Sequence, residues 1–242
     1  MSSNLKIRSV ADVVWYNGGD TDRVAASGEN GSSVRVALIS DTHLPSLMRT
    51  PDDLGPELAE FLSGFDLILH GGDVVRPYLL DWCEQFAPVV VARGNNDSFE
   101  DPRMELVQYL TLEGWRIGMV HELRPEERPV RELLAVAFEG RDLDIIIAGD
   151  THLERLEHRE GVVVINSGSP TLPHHKEMRL GTVGFLDLQP GRLHAEIVTL
   201  GSSAQRPNPG RPRHLLIEDG QLLAAGEGAL PHELLRQAAV ID

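Results

Sequence analysis

The sequence predicts an α/β protein in which helices are layered against a mixed β-sheet system. Short runs rich in Val, Ile and Leu on successive positions are typical of strands that are buried on both faces. Amphipathic stretches alternate with these runs, and alternating strands and helices are the pattern of α/β layers. The predicted buried strands cover residues 34–39, 67–69, 89–92, 145–148 and 162–165.

Three stretches between these strands begin at a proline and carry apolar residues at helical spacing. Leu54, Leu58 and Leu62 recur on one face within residues 51–62, as in an amphipathic helix. Residues 77–86 and 129–138 show similar apolar stripes. We therefore predict a helix in each of the three stretches.

The later part of the chain predicts antiparallel or edge strands. Residues 115–120, 182–188 and 193–200 are short apolar runs joined by turns that contain Gly, which is typical of hairpins and meanders. Together with the buried strands they indicate a mixed sheet system.

Composition shifts divide the chain into three parts. Residues 1–33 end in a stretch dense in Gly, Asp, Asn and Ser, which predicts a flexible extension. Residues 34–200 form the predicted domain. Residues 201–242 begin with a proline-rich linker and continue with a hairpin around Asp219-Gly220 and a closing helix over residues 231–240.

Charge and composition exclude several classes of protein. With 22 Lys and Arg against 37 Asp and Glu, the formal net charge is −15, so we expect no binding to a nucleic-acid backbone. No run approaches the roughly 18 apolar residues of a membrane span, so we expect no membrane association. The lone Cys83 forbids an intrachain disulfide and suits a reducing compartment. Because no secretory signal is recognisable, we expect a cytoplasmic protein.

Polar side chains follow five of the predicted strands at the point where each strand ends. They are Asp41 and His43, then Asp73, then Asn95 and Asp97, then His121, and finally Asp150 and His152. A single residue of this kind is most often a helix cap or a turn residue. Five clusters are expected to meet in one crevice, because the carboxyl ends of the strands define the ligand site of α/β sheets. Carboxylate, imidazole and amide oxygen are ligands of divalent first-row metals.

These motifs resemble those of the calcineurin-like metallophosphoesterases. The matching motifs, in order, are Asp41-x-His43, Gly72-Asp73, Gly94-Asn95-x-Asp97, His121, Gly149-x-Thr151-His152 and Asn166-Ser167-Gly168-Ser169. The resemblance spans about residues 34–200 and is greatest to the small bacterial and archaeal phosphodiesterase branch, to which the retromer scaffold subunit of eukaryotes is related. It implies two mixed β-sheets packed as a sandwich flanked by helices, with two divalent metal ions at the strand ends.

The resemblance also implies a ligand set for each ion. The first ion would be held by Asp41, His43, Asp73 and His152, and the second by Asp73 as a bridge, Asn95, His121 and the residue at position 150. Catalysis would involve Asp73, Asn95, His121 and Asp97, with Asp97 expected to orient its neighbours rather than to bind metal.

Asp150 departs from the family pattern, which usually has His at this position. Its shorter, anionic side chain leaves three alternatives open: direct ligation, ligation through water, or no ligation. A harder second site favours Mn²⁺, Fe²⁺ or Mg²⁺ over Zn²⁺. Mn²⁺ is therefore the first candidate, with Fe²⁺, Mg²⁺, Ni²⁺ and Zn²⁺ as alternatives.

Asn96 is a second departure, because many phosphatases of the superfamily have a His there that is thought to protonate the leaving group. General-acid catalysis is commonly worth about 10²- to 10⁴-fold, so its loss favours esters with good leaving groups. We expect Asn96, Arg93 and His174 to contact the substrate. Arg124, Arg128 and Arg131 are expected to be solvated, and His70 to be a buried, hydrogen-bonded residue.

The resemblance thus implies a divalent-metal-dependent phosphodiesterase that uses a metal-bridging hydroxide for in-line attack on a small or nucleotide-like phosphate ester. Two alternatives remain: a phosphomonoesterase of the same fold, and an inactive scaffold that binds other proteins. The expected partner is a small phosphate-ester substrate. Dimers or tetramers are frequent in the branch, so a homo-oligomer is a further expectation.

Overall fold

A computed structural model of the chain describes residues 33–173, 180–201 and 207–237. The described part contains thirteen strands, four α-helices and one 3-10 helix. The strands are β1 (Val34–Ile39), β2 (Leu67–His70), β3 (Val89–Ala92), β4 (Met104–Glu105), β5 (Val107–Leu112), β6 (Trp115–Val120), β7 (Ile145–Ala148), β8 (Glu154–Arg159), β9 (Val162–Ser167), β10 (Thr182–Gln189), β11 (Arg192–Thr199), β12 (Arg213–Glu218) and β13 (Gln221–Glu227). The helices are the 3-10 helix Pro51–Leu54, α1 (Pro56–Leu62), α2 (Tyr78–Cys83), α3 (Val130–Ala137) and α4 (His232–Gln237).

The strands form two mixed sheets. The first has eight strands in the order β13-β12-β11-β10-β1-β2-β3-β4 and the second has five in the order β5-β6-β7-β9-β8. In the first sheet, β1 to β4 pair in parallel and β10 to β13 pair antiparallel. In the second, β6, β7 and β9 pair in parallel between the antiparallel strands β5 and β8. The predicted α/β fold with two mixed sheets is confirmed.

Alternating side chains place each sheet between two apolar layers. Val36 and Leu38 of β1 lie in a central core together with Ile117 and Ile145 of the second sheet. The alternate residues of these strands face the other side of the first sheet and pack against α1 and α2 in a second cluster. A third cluster joins the outer face of the second sheet to α3. Burial on both faces explains why the strand sequences are continuous apolar runs.

The predicted helix over residues 51–62 is interrupted. A 3-10 helix ends at Leu54, Gly55 adopts a φ of 84°, and α1 begins at Pro56. Proline favours the first position of a helix because its missing N–H needs no partner there, so Pro56 begins a new helix and does not continue the previous one.

Three strands were not predicted from the sequence. β4 has only two residues, and β8 reads Glu-Arg-Leu-Glu-His-Arg, which is too polar to indicate a strand. β5 alternates half-buried and buried residues at the period of two expected for a strand.

The predicted C-terminal hairpin extends the first sheet. β12 pairs with β11, and Leu215 and Ile217 lie in the central core. The domain boundary near residue 200 stays a prediction, as does the flexible extension, since residues 1–32 lie outside the described ranges. Within those ranges, no helix has the length and apolar character needed to cross a membrane.

Candidate metal centre

The five polar clusters predicted at strand ends lie together where the two sheets meet. β1, β2 and β3 are parallel neighbours in the first sheet and β6 and β7 in the second. Two groups of side chains place their ligand atoms within 4.8 Å of one another: Asp41, His43 and His152, and Asp41, Asp73 and His121. Five of the seven predicted metal ligands are therefore in one site.

The first group is arranged around His43. Its Nε2 lies 3.1 Å from Nε2 of His152 and 3.3 Å from Oδ2 of Asp73. Nε2 of His152 lies 3.6 Å from Oδ1 of Asp41. Ligands about 2.0 to 2.2 Å from one cation at tetrahedral or octahedral angles are themselves about 2.8 to 3.6 Å apart. The donor atoms of this group therefore fit a single divalent cation.

The second group surrounds His121. Its Nε2 lies 3.4 Å from Oδ1 of Asp73, 3.1 Å from Oδ1 of Asn95 and 3.9 Å from Oδ1 of Asp150. Asp73 thus turns one oxygen to each group, as a bridging carboxylate does. These residues fit a second cation of the kind that oxygen and imidazole ligands prefer.

The ring orientation of two histidines is fixed from outside the centre. Nδ1 of His121 donates to the Gly71 carbonyl at 2.7 Å, and Nδ1 of His152 donates to the Leu172 carbonyl. Each ring therefore presents an unprotonated Nε2 to the centre when neutral, which is the form that binds metal.

His70 lies nearby but has no free ring nitrogen. Nδ1 accepts from the Gly72 N–H at 3.1 Å, and Nε2 contacts the Thr42 hydroxyl at 3.0 Å. Burial lowers its pKa to about 3, so the ring is neutral. The expectation of a buried, hydrogen-bonded histidine is confirmed.

Five of the seven predicted metal ligands adopt left-handed backbone conformations. They are Asp41 (φ 53°), His43 (φ 44°), Asp73 (φ 58°), Asp150 (φ 70°) and His152 (φ 56°). This region is uncommon for residues other than Gly, and non-Gly residues in it cluster at functional sites. Hydrogen bonds between loops hold the conformation, since the N–H groups of Asp41 and His43 donate to the carbonyls of Gly72 and Asp73 at 2.9 Å each.

Asp97 joins the loops after β2 and β3. Its Oδ2 accepts from the backbone N–H groups of Asp73 (3.0 Å) and Gly94 (2.8 Å), and its Oδ1 from that of Val75 (2.7 Å). Both oxygens point at backbone amides, a geometry that favours a positioning residue. That role stays a prediction.

The electrostatics of the centre favour positive charge. Burial raises the pKa of Asp41 to about 6, against the lowering effect of the Ser40 hydroxyl and of His121. Burial also acts to lower the pKa of His121, but the carboxylates of Asp73 and Asp41 outweigh it and raise that pKa to about 9. Carboxylates that stabilise the protonated, positively charged form of a neighbouring imidazole also stabilise a bound cation.

Comparison with known proteins identifies the fold family. The family model described as the calcineurin-like phosphoesterase superfamily domain matches residues 34–191. The chain belongs to this superfamily. Calcineurin-like phosphoesterases are divalent-metal enzymes, and the ligand groups described above supply the residues that such ions need.

Several relatives support this assignment. A probable metallophosphoesterase of Methanothermobacter thermautotrophicus is 31% identical over 176 residues, which covers 71% of this chain and 95% of that protein. Vacuolar protein sorting 29 of Cryptosporidium parvum has the same fold, with a TM-score of 0.61, 19% identity and coverage of 82% of this chain and 99% of the other. A conserved predicted phosphoesterase of Streptococcus pneumoniae aligns with a TM-score of 0.55, 16% identity and coverage of 76% and 98%. The chain is thus a metal-dependent phosphoesterase by family and by ligand set.

Asp150 divides its carboxylate between the centre and a neighbouring arginine. Oδ1 faces His121, whereas Oδ2 accepts from Nε of Arg124 at 2.8 Å and also from Nη2 of Arg124. One oxygen therefore remains directed at the second group of ligands. Whether Asp150 ligates a cation stays a prediction.

The residues expected to contact substrate have different surroundings. Asn96 donates from its backbone N–H to Oδ1 of Asp73 at 2.9 Å and from Nδ2 to Oδ2 at 2.6 Å, so its amide holds that carboxylate. Arg93 donates from Nε to the Asp97 carbonyl at 3.3 Å and lines a cleft. His174 lies outside the described residues. Their contact with substrate stays a prediction.

A cleft of about 430 Å³ opens beside the second group of ligands. Asn95 and His121 lie on its wall, together with three arginines. Those arginines are Arg93, Arg124 and Arg128. The rest of the wall is mainly apolar and includes Leu106 and Val136, which are 69% and 68% exposed. This cleft was not predicted from the sequence, because Arg124 and Arg128 were expected only to be solvated. The acidic residue at position 150 could have suggested a cationic neighbour, but the sequence does not identify Arg124 as that neighbour.

Proposed function

We propose that the protein is a divalent-metal-dependent phosphodiesterase acting on small phosphodiesters. The observation that carries the proposal is the convergence of Asp41, His43, Asp73, His121 and His152 with donor atoms 3.1 to 3.6 Å apart. Paired divalent cations at such a centre supply Lewis-acid activation of the phosphoryl group and of the attacking water. Asp73 would orient the pair by presenting one oxygen to each group.

The charge balance of the centre suits an anionic substrate. Asp41, Asp73 and Asp150 together neutralise only part of the charge of two divalent cations, so a positive excess remains. This local excess explains how a chain with a net charge of −15 would hold a phosphate. The arginines of the cleft extend the positive region away from the strand ends.

Two features favour a phosphodiester over a phosphomonoester. The cleft beside Asn95 and His121 gives room and apolar contact for a second organic group on the phosphorus. The amide of Asn96, held by Asp73, has no acidic proton to give to a poor leaving group. Because general-acid help is commonly worth about 10²- to 10⁴-fold, diesters with a stable leaving anion should react faster.

Hydrolysis of two chromogenic esters tests the proposal. Purified full-length protein is assayed with bis-p-nitrophenyl phosphate and p-nitrophenyl phosphate, first with Mn²⁺, then after chelation, then after Mn²⁺ is restored. We expect faster hydrolysis of the diester, loss of activity on chelation and recovery with Mn²⁺. Faster hydrolysis of the monoester would indicate a phosphomonoesterase. No turnover, together with no bound metal in elemental analysis, would indicate a scaffold.

The proposal includes Mn²⁺ as the resident ion, a cytoplasmic location and self-association into a homo-oligomer. The oxygen-rich second group supports Mn²⁺, since carboxylate and amide oxygens suit harder cations. The buried thiol of Cys83 is in keeping with a reducing compartment. Elemental analysis of protein purified without added metal, cell fractionation and light scattering after gel filtration test these three points in turn.

A further inference from the structure

Arg124 lies at the border between the metal centre and the cleft. Its Nε and Nη2 both donate to Oδ2 of Asp150, whose other oxygen lies 3.9 Å from Nε2 of His121. Only one carboxylate therefore separates the guanidinium from the ligands of the second group. The side chain of Asp150 is 10% exposed, whereas that of Arg124 is 61% exposed. The arginine thus faces the solvent side, from which a substrate arrives.

The guanidinium of Arg124 has N–H donors that its contacts with Asp150 and Glu122 leave unused. Arginine carries five N–H groups in a planar fork. Nε and one N–H of Nη2 bind Asp150, and Nη1 lies 3.1 Å from Oε1 of Glu122. The remaining two N–H groups have no hydrogen-bond partner among the residues that the structure describes. A fork of this kind matches the oxygens of a phosphate.

The charges of Arg124 and Asp150 bear on the binding of an anionic substrate. Because the guanidinium of Arg124 is 61% exposed, solvent screens the pair and limits what it contributes to folding. The carboxylate of Asp150 lowers the positive excess of the centre by one charge and so weakens its attraction for a phosphate ester. Arg124 cancels that charge and adds a hydrogen-bond donor at the same position.

We propose that Arg124, oriented by Asp150, binds a non-bridging oxygen of the substrate phosphate. The inference rests on the proposed function and adds a substrate-binding residue to it. Arg124 and Asp150 then act as a pair: the carboxylate orients the guanidinium, and the guanidinium binds the anion. The ligands of this site are phosphate esters and inorganic phosphate.

Titration with inorganic phosphate tests the proposal without requiring turnover. Full-length protein loaded with Mn²⁺ and freed of excess metal is titrated calorimetrically, as wild type, Arg124→Ala, Arg124→Lys and Arg131→Ala. Arg131 is the matched control, because it is an exposed arginine in the first turn of α3 that does not line the cleft. Metal content is measured on every sample, and KM and kcat for bis-p-nitrophenyl phosphate are measured alongside.

We expect Arg124→Ala to weaken phosphate binding about 10- to 100-fold, because a hydrogen bond to a charged group is lost. The same substitution should raise KM for the diester more than it lowers kcat. Metal content should stay at the wild-type level, Arg124→Lys should retain part of the affinity, and Arg131→Ala should change neither. Phosphate affinity of Arg124→Ala within twofold of wild type would overturn the proposal. A loss of metal in Arg124→Ala would also overturn it, because the arginine would then act on the ligands.

Failure of the proposed function gives a different result. If the wild type hydrolyses neither ester but binds phosphate through Arg124, the phosphodiesterase assignment fails and the phosphate site stands. If the wild type hydrolyses the diester and Arg124→Ala matches it in phosphate affinity and KM, the function stands and the role of Arg124 is refuted. A wild type that binds no phosphate also refutes that role.

Discussion

Asp73 is the residue on which the contacts of the metal centre converge. Oδ1 lies 3.4 Å from Nε2 of His121 and Oδ2 lies 3.3 Å from Nε2 of His43. Burial acts to raise the pKa of this carboxyl, but hydrogen bonds from His121 and Asn96 outweigh burial and hold the pKa well below its usual value. Asp73 is therefore an anion that touches both ligand groups.

Asp73→Asn removes the shared negative charge while keeping the shape of the side chain. We expect bound metal to fall and diester hydrolysis to drop by at least about 100-fold, since altering even the partners of metal ligands costs about 10- to 100-fold. Elemental analysis and initial rates measure both effects. Asp142→Asn is the control, because Asp142 is 83% exposed and pairs with Arg116 away from the centre. Equal metal content in the two variants would argue against a bridging role.

Asp97→Asn tests how far the centre depends on its supporting hydrogen bonds. The new amide group can accept through one atom only, and its NH₂ would face a backbone N–H. We expect a loss of about 1 to 3 kcal/mol in the free energy of unfolding for each donor left unsatisfied, together with weaker metal binding. Urea unfolding measures the first quantity.

The matched control for that substitution is Asp66→Asn. Asp66 accepts one backbone N–H, from Arg35 at 2.9 Å, at a partly exposed position, so we expect a small change in stability. If Asp97→Asn is as stable as Asp66→Asn, then the three amide contacts of Asp97 do not hold the loops together.

At this scale, residue types and order along the chain were enough to predict which side chains lie together, whereas their ligation of metal stays a prediction. Asp41, His43, Asp73, His121 and His152 do meet, because the strands that precede them in the two sheets end on the same side of the sandwich. The pairing of Arg124 with Asp150 was not predictable, since it depends on the path of the segment between β6 and α3. The hydrogen bonds of Asn96 to Asp73 depend likewise on a loop conformation that spacing does not encode.

At the scale of elements, the loops after β2 and β3 pack so closely that no side chain fits at Gly94. A Cβ on Gly94 would lie 2.2 Å from both the backbone nitrogen and Oδ1 of Asp73. Because the backbone of the loop after β2 cannot move without displacing Asp73, the loop after β3 requires glycine at this position. The close approach of the two loops is what brings Asn95 to His121.

Gly94→Ala should therefore separate the loops. We expect lower thermal stability and a loss of bound metal, measured by calorimetry and elemental analysis. Gly64→Ala is the control: its Cβ would come no nearer than 3.5 Å to its neighbours, so we expect near wild-type behaviour. Full metal content in Gly94→Ala would show that the loops have room to adjust.

Strands that are buried on both faces could be predicted from the sequence, whereas strands at the edges of the sheets were harder to predict. β1, β3 and β7 have the predicted bounds because both of their faces are covered. β8 lies at the end of the second sheet with polar residues facing solvent and in ion pairs such as Arg155 with Glu126. Its pairing with β9 is a tertiary effect that propensity does not reveal.

At the scale of the molecule, the C-terminal hairpin belongs to the same packed body as the metal centre. β12 continues the eight-stranded sheet, and Leu215 and Ile217 complete the central core next to Leu193 and Ala195 of β11. A proline-rich segment precedes the hairpin, which is why composition alone predicted a separate extension. The composition of the proline-rich segment indicates a linker but says nothing of where the hairpin packs. The alternation of apolar residues in β12 determines which surface the strand covers.

Substitution of two leucines in this hairpin measures its part in folding. Leu215 is 1% exposed and Leu222 is 44% exposed. We expect Leu215→Ala to cost about 2 to 5 kcal/mol through lost burial and cavity formation, and Leu222→Ala to change stability by about 0.5 kcal/mol or less. In both variants thermal unfolding followed by calorimetry should remain a single transition, because the hairpin shares the core of the sandwich. A second transition confined to Leu215→Ala, or an unchanged midpoint, would mean that the hairpin unfolds independently of the sheets that carry the metal ligands.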